Sequence, residues 1–127
     1  MSVNNVLDLA ARQASWLLAR ENLVAQNVAN ANTPGYRAAD LKPFDGVLQA
    51  AALRLTRTSG AHLDIDESDA APALDDTSDS KNETFLSGND VSLEGEMMKG
   101  GEINRAFSLN AAITKAFNGM LVQATKG

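Results

Sequence analysis

Two long stretches with apolar residues alternately four and three apart stand at the two ends of this chain, and the composition between them turns polar and acidic. In the first, Val3, Leu7, Ala10, Ala14, Leu17, Glu21, Val24, Val28 and Ala31 fall on one line, with Glu21 its single break. The second runs through Ile103, Ala106, Asn110, Ile113, Phe117, Met120 and Ala124, with Asn110 its polar member. Such spacing, sustained over about four heptads, predicts helices that pair with another helix. At 1.5 Å per residue the first would reach roughly 43 Å, longer than a compact small domain requires. The expected fold is mainly α: long N- and C-terminal helices paired as an antiparallel coiled coil, joined by a mostly irregular polar middle segment with one possible short helix. Asn110 either fixes the register of the pair at a cost in stability or marks a helix edge facing water.

Residues 1–33 are assigned to the first helix, 34–91 to a turn, a short helix and an acidic connection, and 92–127 to the second helix. Phe44, Val47, Leu48, Ala51, Ala52 and Leu55 have the spacing of the short helix. From Thr56 to Gly88 the chain carries Asp64, Asp66, Glu67, Asp69, Asp75, Asp76, Asp79 and Glu83 against Lys81, a composition with too little apolar surface to order itself. Ser92 is placed to cap the second helix, with Glu94 and Glu96 in its first turns where the helix dipole favours acids. Gly100-Gly101 should cost that helix about 2 kcal/mol against two alanines, so a kink or break is expected there.

The first helix ends in an unusual way. Asn27, Asn30 and Asn32 stud its last turns, although Asn competes with the helix for backbone hydrogen bonds, so their amides are expected to bond elsewhere, across a subunit contact or to close a turn. Pro34 pushes Thr33 out of the α region, and Pro-Gly favours a type II turn with Gly35 at positive φ. The motif reads as a corner, and Gly35→Val as its most damaging change. A second stripe, Leu9, Trp16, Leu23 and Asn30, lies about 130° from the apolar seam and would face water in a two-helix hairpin. Its expected cover is a neighbouring subunit, and non-closing contacts of that kind generate filaments.

The run Asn27-Val28-Ala29-Asn30-Ala31-Asn32-Thr33-Pro34-Gly35-Tyr36 resembles the N-terminal signature of the axial proteins of the bacterial flagellum, the rod and hook family. Thr58-Ser59-Gly60-Ala61-His62-Leu63, Gly88-Asn89-Asp90-Val91-Ser92-Leu93-Glu94-Gly95-Glu96-Met97 and Asn104-Arg105-Ala106-Phe107 are similar to the proximal-rod members. Ser92 stands where that group usually has Asp, and Phe107 where it has Tyr. The resemblance implies a structural subunit of the proximal rod, part of a torque-transmitting shaft and export conduit. It implies association with itself, with adjoining rod proteins (FlgC-like, FliE-like) and with the flagellar export apparatus. It also implies export without a cleaved signal peptide and a final place in the periplasmic rod. Asn27, Asn30, Asn32, Thr33, Pro34, Gly35 and Tyr36 are then the assembly and turn motif. Leu9, Trp16, Leu23, Ile113, Phe117 and Met120 are the expected subunit-packing residues.

Other chemistries find little footing. A net charge of −5, with 11 scattered Lys and Arg, argues against nucleic acid as a partner. Cysteine is absent, which removes disulfides, thiolate metal ligands and a Cys nucleophile. Neither an apolar span of about 18 residues nor a basic-then-apolar leader is seen. His62 with Asp64 and Asp66 would share one face of a strand, yet a lone His among acids in a polar segment is more often solvated than metal-bound. Asp64-x-Asp66-x-x-Asp69 fails as a calcium loop, lacking Gly at its sixth position and Glu at its twelfth. No enzyme activity, cofactor or small-molecule substrate is expected. The alternative is a cytosolic coiled-coil adaptor or export chaperone, which has no use for the Asn-rich corner.

Overall fold

The computed structural model describes residues 3–46, 48, 74–75 and 84–127. Its elements are α1 (Val3–Ala29), β1 (Asp40–Leu41), β2 (Leu74–Asp75) and α2 (Leu93–Lys126). The helices have 27 and 34 residues, lengths of roughly 40 and 50 Å. They pack antiparallel. Near one end the Asn110 amide donates to the Ala10 carbonyl at 3.0 Å and to Gln13 Oε1 at 2.9 Å, and further along Arg20 Nη1 lies 3.6 Å from Glu102 Oε2. Asn110 is thus a seam residue that ties the two helices together.

Ser92 caps α2 by accepting the Gly95 N–H at 3.2 Å, with Glu94 and Glu96 in the first turn. The helix then runs unbroken through Gly100-Gly101, where a kink or break was expected. Tertiary anchors on either side outweigh the glycine cost: Lys99 Nζ lies 3.5 Å from Asp40 Oδ2, and Ile103 is among the most buried residues described. Residues 44–46 and 48 are helical, whereas the rest of the proposed short helix falls outside the described residues. So do His62 and most of the acidic segment. Its described part includes β2, which pairs antiparallel with β1, Asp40 opposite Asp75 and Leu41 opposite Leu74.

The faces that meet keep Leu7, Ala10, Ala14, Leu17 and Val24 of the first seam and Ile103, Ala106, Asn110 and Phe117 of the second, and depart from the seams at Glu21, Val28, Ile113 and Met120. On α1 the inward line is Val6, Ala10, Gln13, Leu17, Arg20, Val24 and Asn27, while Glu21 and Val28 are exposed. On α2, Thr114 and Leu121 turn inward in place of Ile113 and Met120, which are exposed. The reason is polar: Gln13, Arg20 and Asn27, seven apart, each find a hydrogen-bonding partner, Gln13 in Asn110 of α2 and the other two in Asp40 and Ala39 of the segment that folds back beside α1. Apolar spacing does not register such residues.

Among the described residues the buried apolar ones are Leu17, Leu41, Val91 and Ile103, all in the half of the hairpin nearer the corner. Large apolar side chains are exposed in both halves, Leu18, Val28, Leu93, Met97 and Met98 nearer the corner and Leu9, Leu109, Ile113, Met120 and Val122 in the other. With so few side chains removed from water, each one carries much of the fold. Ile103→Ala should cost about 2–5 kcal/mol, enough to remove most helical signal from the isolated chain at 25 °C. Circular dichroism against urea is the check, and an unchanged midpoint would exclude Ile103 from the core.

Candidate functional site

The Asn-rich corner is built from two buried amides. Asn27, wholly buried, uses its side chain as a strand would use its backbone: Nδ2 donates to the Ala39 carbonyl at 2.8 Å and Oδ1 accepts the Ala39 N–H at 3.0 Å. The Tyr36 hydroxyl donates to the same Oδ1 at 3.0 Å. Between them the chain reverses through Thr33-Pro34-Gly35-Tyr36, closed by Tyr36 N–H to Thr33 carbonyl at 3.2 Å, with Gly35 at φ 74°. Positive φ at the third residue of the turn, directly after Pro, is the type II geometry.

Asn89 closes the corner from the other side. Its Nδ2 donates to the Asn30 and Thr33 carbonyls at 2.9 and 2.8 Å, each of which also accepts a backbone N–H of the turn, so the amide pins both ends of the turn that follows α1. Its Oδ1 accepts the Val91 N–H at 2.8 Å. Asp90, also buried, accepts the Ala38 N–H at 2.6 Å. Gly35 N–H bonds the Ser87 carbonyl at 2.9 Å, and a Cβ on Gly88, itself at φ 78°, would lie 3.4 Å from Gly35 Cα. Corner and crossing segment are therefore one unit. Asn30 bonds locally, Nδ2 to the Gln26 carbonyl and Oδ1 from the Thr33 hydroxyl. Asn32 is exposed, and no hydrogen bond of its side chain falls among the described residues.

Beside the corner lies a charged junction. Arg20 grips Asp40 through Nε at 3.0 Å and Nη2 at 3.2 Å, Lys99 approaches Asp40 at 3.5 Å and Glu96 at 3.2 Å, and Glu102 closes on Arg20. Burial alone would raise the Asp40 carboxyl, but the Arg20 hydrogen bond, the Leu41 N–H and the charges of Arg20 and Lys99 outweigh it and hold it below the ordinary carboxylate value. Glu96, in the first turn as expected, is buried, and its Oε2 has no hydrogen-bond partner among the described residues.

The stripe through Trp16 is partly covered within the chain. The indole donates to the Lys42 carbonyl at 3.0 Å, Phe44 stands 5.9 Å from it between ring centroids, and Arg20 lies over its face. Leu23 is half-buried and Leu9 exposed. Part of the cover expected from a neighbouring subunit is supplied at Trp16 by the chain itself, because residues 36–44 fold back beside α1 once the corner has turned. Among the described residues no cluster of His, Cys, Asp and Glu suits a metal ion. Asn89, Asp90, Asp40 and Lys99 had no signal in hydropathy; the Gly-Asn-Asp resemblance touched the first two, and nothing singled out Asp40 or Lys99.

These helices, their Asn-Thr-Pro-Gly-Tyr corner and the capped second helix define a class. The model of the family described as flagella basal body rod protein matches residues 10–37, which are most of α1 and the corner. The chain is 40% identical over 124 residues to the flagellar basal body rod protein FlgB of Agrobacterium fabrum (strain C58 / ATCC 33970), covering 95% of this chain and 92% of that protein. It is 32% identical over 79 residues to the FlgB of Buchnera aphidicola subsp. Baizongia pistaciae (strain Bp), 57% of each. The chain belongs to the FlgB family of flagellar basal body rod proteins.

Two predictions follow the geometry. Asn27→Ala strands three buried or half-buried partner groups and should cost about 2–4 kcal/mol, whereas Gly35→Ala meets open space and costs about 1–2 kcal/mol for its φ alone. Denaturant midpoints of the two variants rank them, and equal midpoints would deny Asn27 its role. Because the folded Asp40 pKa is depressed, its contribution is complete above the unfolded carboxylate value and is lost as pH falls through the lower folded value. The stability difference between wild type and Asp40→Asn should accordingly stay level near neutrality and shrink in acid.

Proposed function

We propose that this chain is a structural subunit of the flagellar basal-body rod, in its proximal part, joining a helical assembly that transmits torque and surrounds the export conduit. The carrying observation is the 40% identity to a rod protein along 95% of the chain. The exposed apolar side chains of the half remote from the corner support it, since long helices with such surfaces gain by packing against further helices. Leu9, Ile113 and Met120 are then subunit contacts, with Phe117, Leu23 and Trp16 contributing their uncovered edges. The corner motif, Asn27 to Tyr36, holds the two helices in the shape that is assembled.

The role is mechanical and not catalytic. Its partners are copies of itself and other rod proteins, FlgC-like and FliE-like, reached through the flagellar export apparatus without cleavage of a signal peptide, and its place is the periplasmic rod. Among the described residues no helix is long and apolar enough to cross a membrane. A cytosolic adaptor or chaperone is not favoured, because the relative matched over 92% of its own length is named as a rod protein.

A tagged copy expressed in a flagellated strain lacking its own should restore swimming and purify with salt-washed basal bodies. Leu9→Asp and Ile113→Asp, both at exposed positions, should leave the isolated chain's circular dichroism unchanged and abolish that recovery. Recovery of the wild-type chain only from the cytosol would sink the rod assignment.

A further inference from the structure

Asn27, Asn30, Asn89 and Asn110 are held by bonded amides. Asn118 is not. It lies exposed on α2, and no hydrogen bond of its side chain falls among the described residues. The residue after it is Gly119, and Asn118-Gly119 is the single Asn-Gly pair in the sequence. Gly119 is exposed as well, and a Cβ built on it would meet no atom within 4 Å, so neither residue is shielded within the chain.

The place of this pair along the hairpin leaves it without support. The Asn110 to Ala10 bond puts Val3 level with Phe117, so α2 from Asn118 to Lys126 runs past the described start of α1. A helix end that lacks a packing partner frays, because its last carbonyls have no helical donors and most helical stability comes from burial of one face. Gly119, of the poorest helix-forming type after proline, adds to the fraying.

We propose that Asn118 is a deamidation site, open in the free chain and closed once the end of α2 is packed. In an intact helix the backbone turns the Gly119 nitrogen away from the Asn118 side chain. When the last turns open, that nitrogen loses its proton and attacks Asn118 Cγ, the carboxamide C–N bond breaks, ammonia leaves, and a five-membered succinimide remains. Water then opens the ring at one of its two carbonyls and gives Asp or, with the chain rerouted through the side-chain carbonyl, isoaspartate. Glycine favours the step, since it has no Cβ to crowd the approach and samples a wide range of backbone angles. An isoaspartate adds a methylene to the backbone and ends the helix before Met120, one of the subunit contacts of the rod reading. Aged free copies lose that contact and packed copies keep it, a consequence that rests on the rod-subunit reading.

Peptide mass mapping of the full chain, aged in mildly alkaline buffer, reads the modification without reference to assembly. Asn118 should convert about fivefold or more faster than any other asparagine, and Gly119→Ala, which enters open space and favours the helix, should slow it by about tenfold. Copies recovered with basal bodies should retain Asn118 over the same interval. Conversion spread evenly over the asparagines, no effect of Gly119→Ala, or equal ageing of free and recovered copies overturns the proposal. Failure to recover any copy with basal bodies counts instead against the rod assignment, and the map of the free chain still decides the chemistry.

Discussion

Everything in this molecule depends on two carboxamides that stand in for backbone. A chain leaving a helix and doubling back beside it must bury peptide groups that neither the helix nor a sheet can satisfy, at a cost of about 1–3 kcal/mol for each one left open. Asn27 serves Ala39 on both its N–H and its carbonyl, and Asn89 serves the carbonyls of Asn30 and Thr33. With those groups satisfied, residues 36–44 can lie along α1, cover Trp16 and deliver Asp40 to Arg20. The segment 88–91 then launches α2 in the antiparallel direction.

Much of this was legible in the residues themselves. Two helices, a proline-glycine corner between them and a serine cap follow from spacing, φ restriction and side-chain hydrogen bonding, all local effects. Which face of each helix turns inward did not follow. Hydropathy placed Val28 and Ile113 on the seam and left Gln13, Arg20 and Thr114 outside it, because a polar residue looks solvent-facing until its partner is known. That partner is supplied by sequence as much as a hundred residues away, as Asn110 is for Gln13. The same limit explains Gly100-Gly101: propensity sees the two glycines and not the anchors at Lys99 and Ile103.

The charged junction has a different physical character from the amide corner. Taking Glu96 out of water with one oxygen unpartnered is unfavourable, and ion pairs in such places contribute little net stability. What the junction adds is discrimination. Arg20 and Lys99 converge on Asp40 from separate helices, and sliding α2 along α1 by one turn would part Lys99 from Asp40 and Glu102 from Arg20. Register is therefore penalised at two levels, by amides at Asn110 and by charge at Asp40.

The seven-residue beat of Gln13, Arg20 and Asn27 has a consequence for the life of the chain before it is built into anything. A helix whose inward face carries a polar group every second turn gains little from lying on an arbitrary apolar surface, because each such group would lose water and find nothing in return. Only a surface offering an Asn110, an Asp40 and an Ala39 in the right places repays that loss. An unpartnered α1 is thereby guarded from promiscuous association by desolvation, a form of selectivity that acts through what wrong neighbours lack.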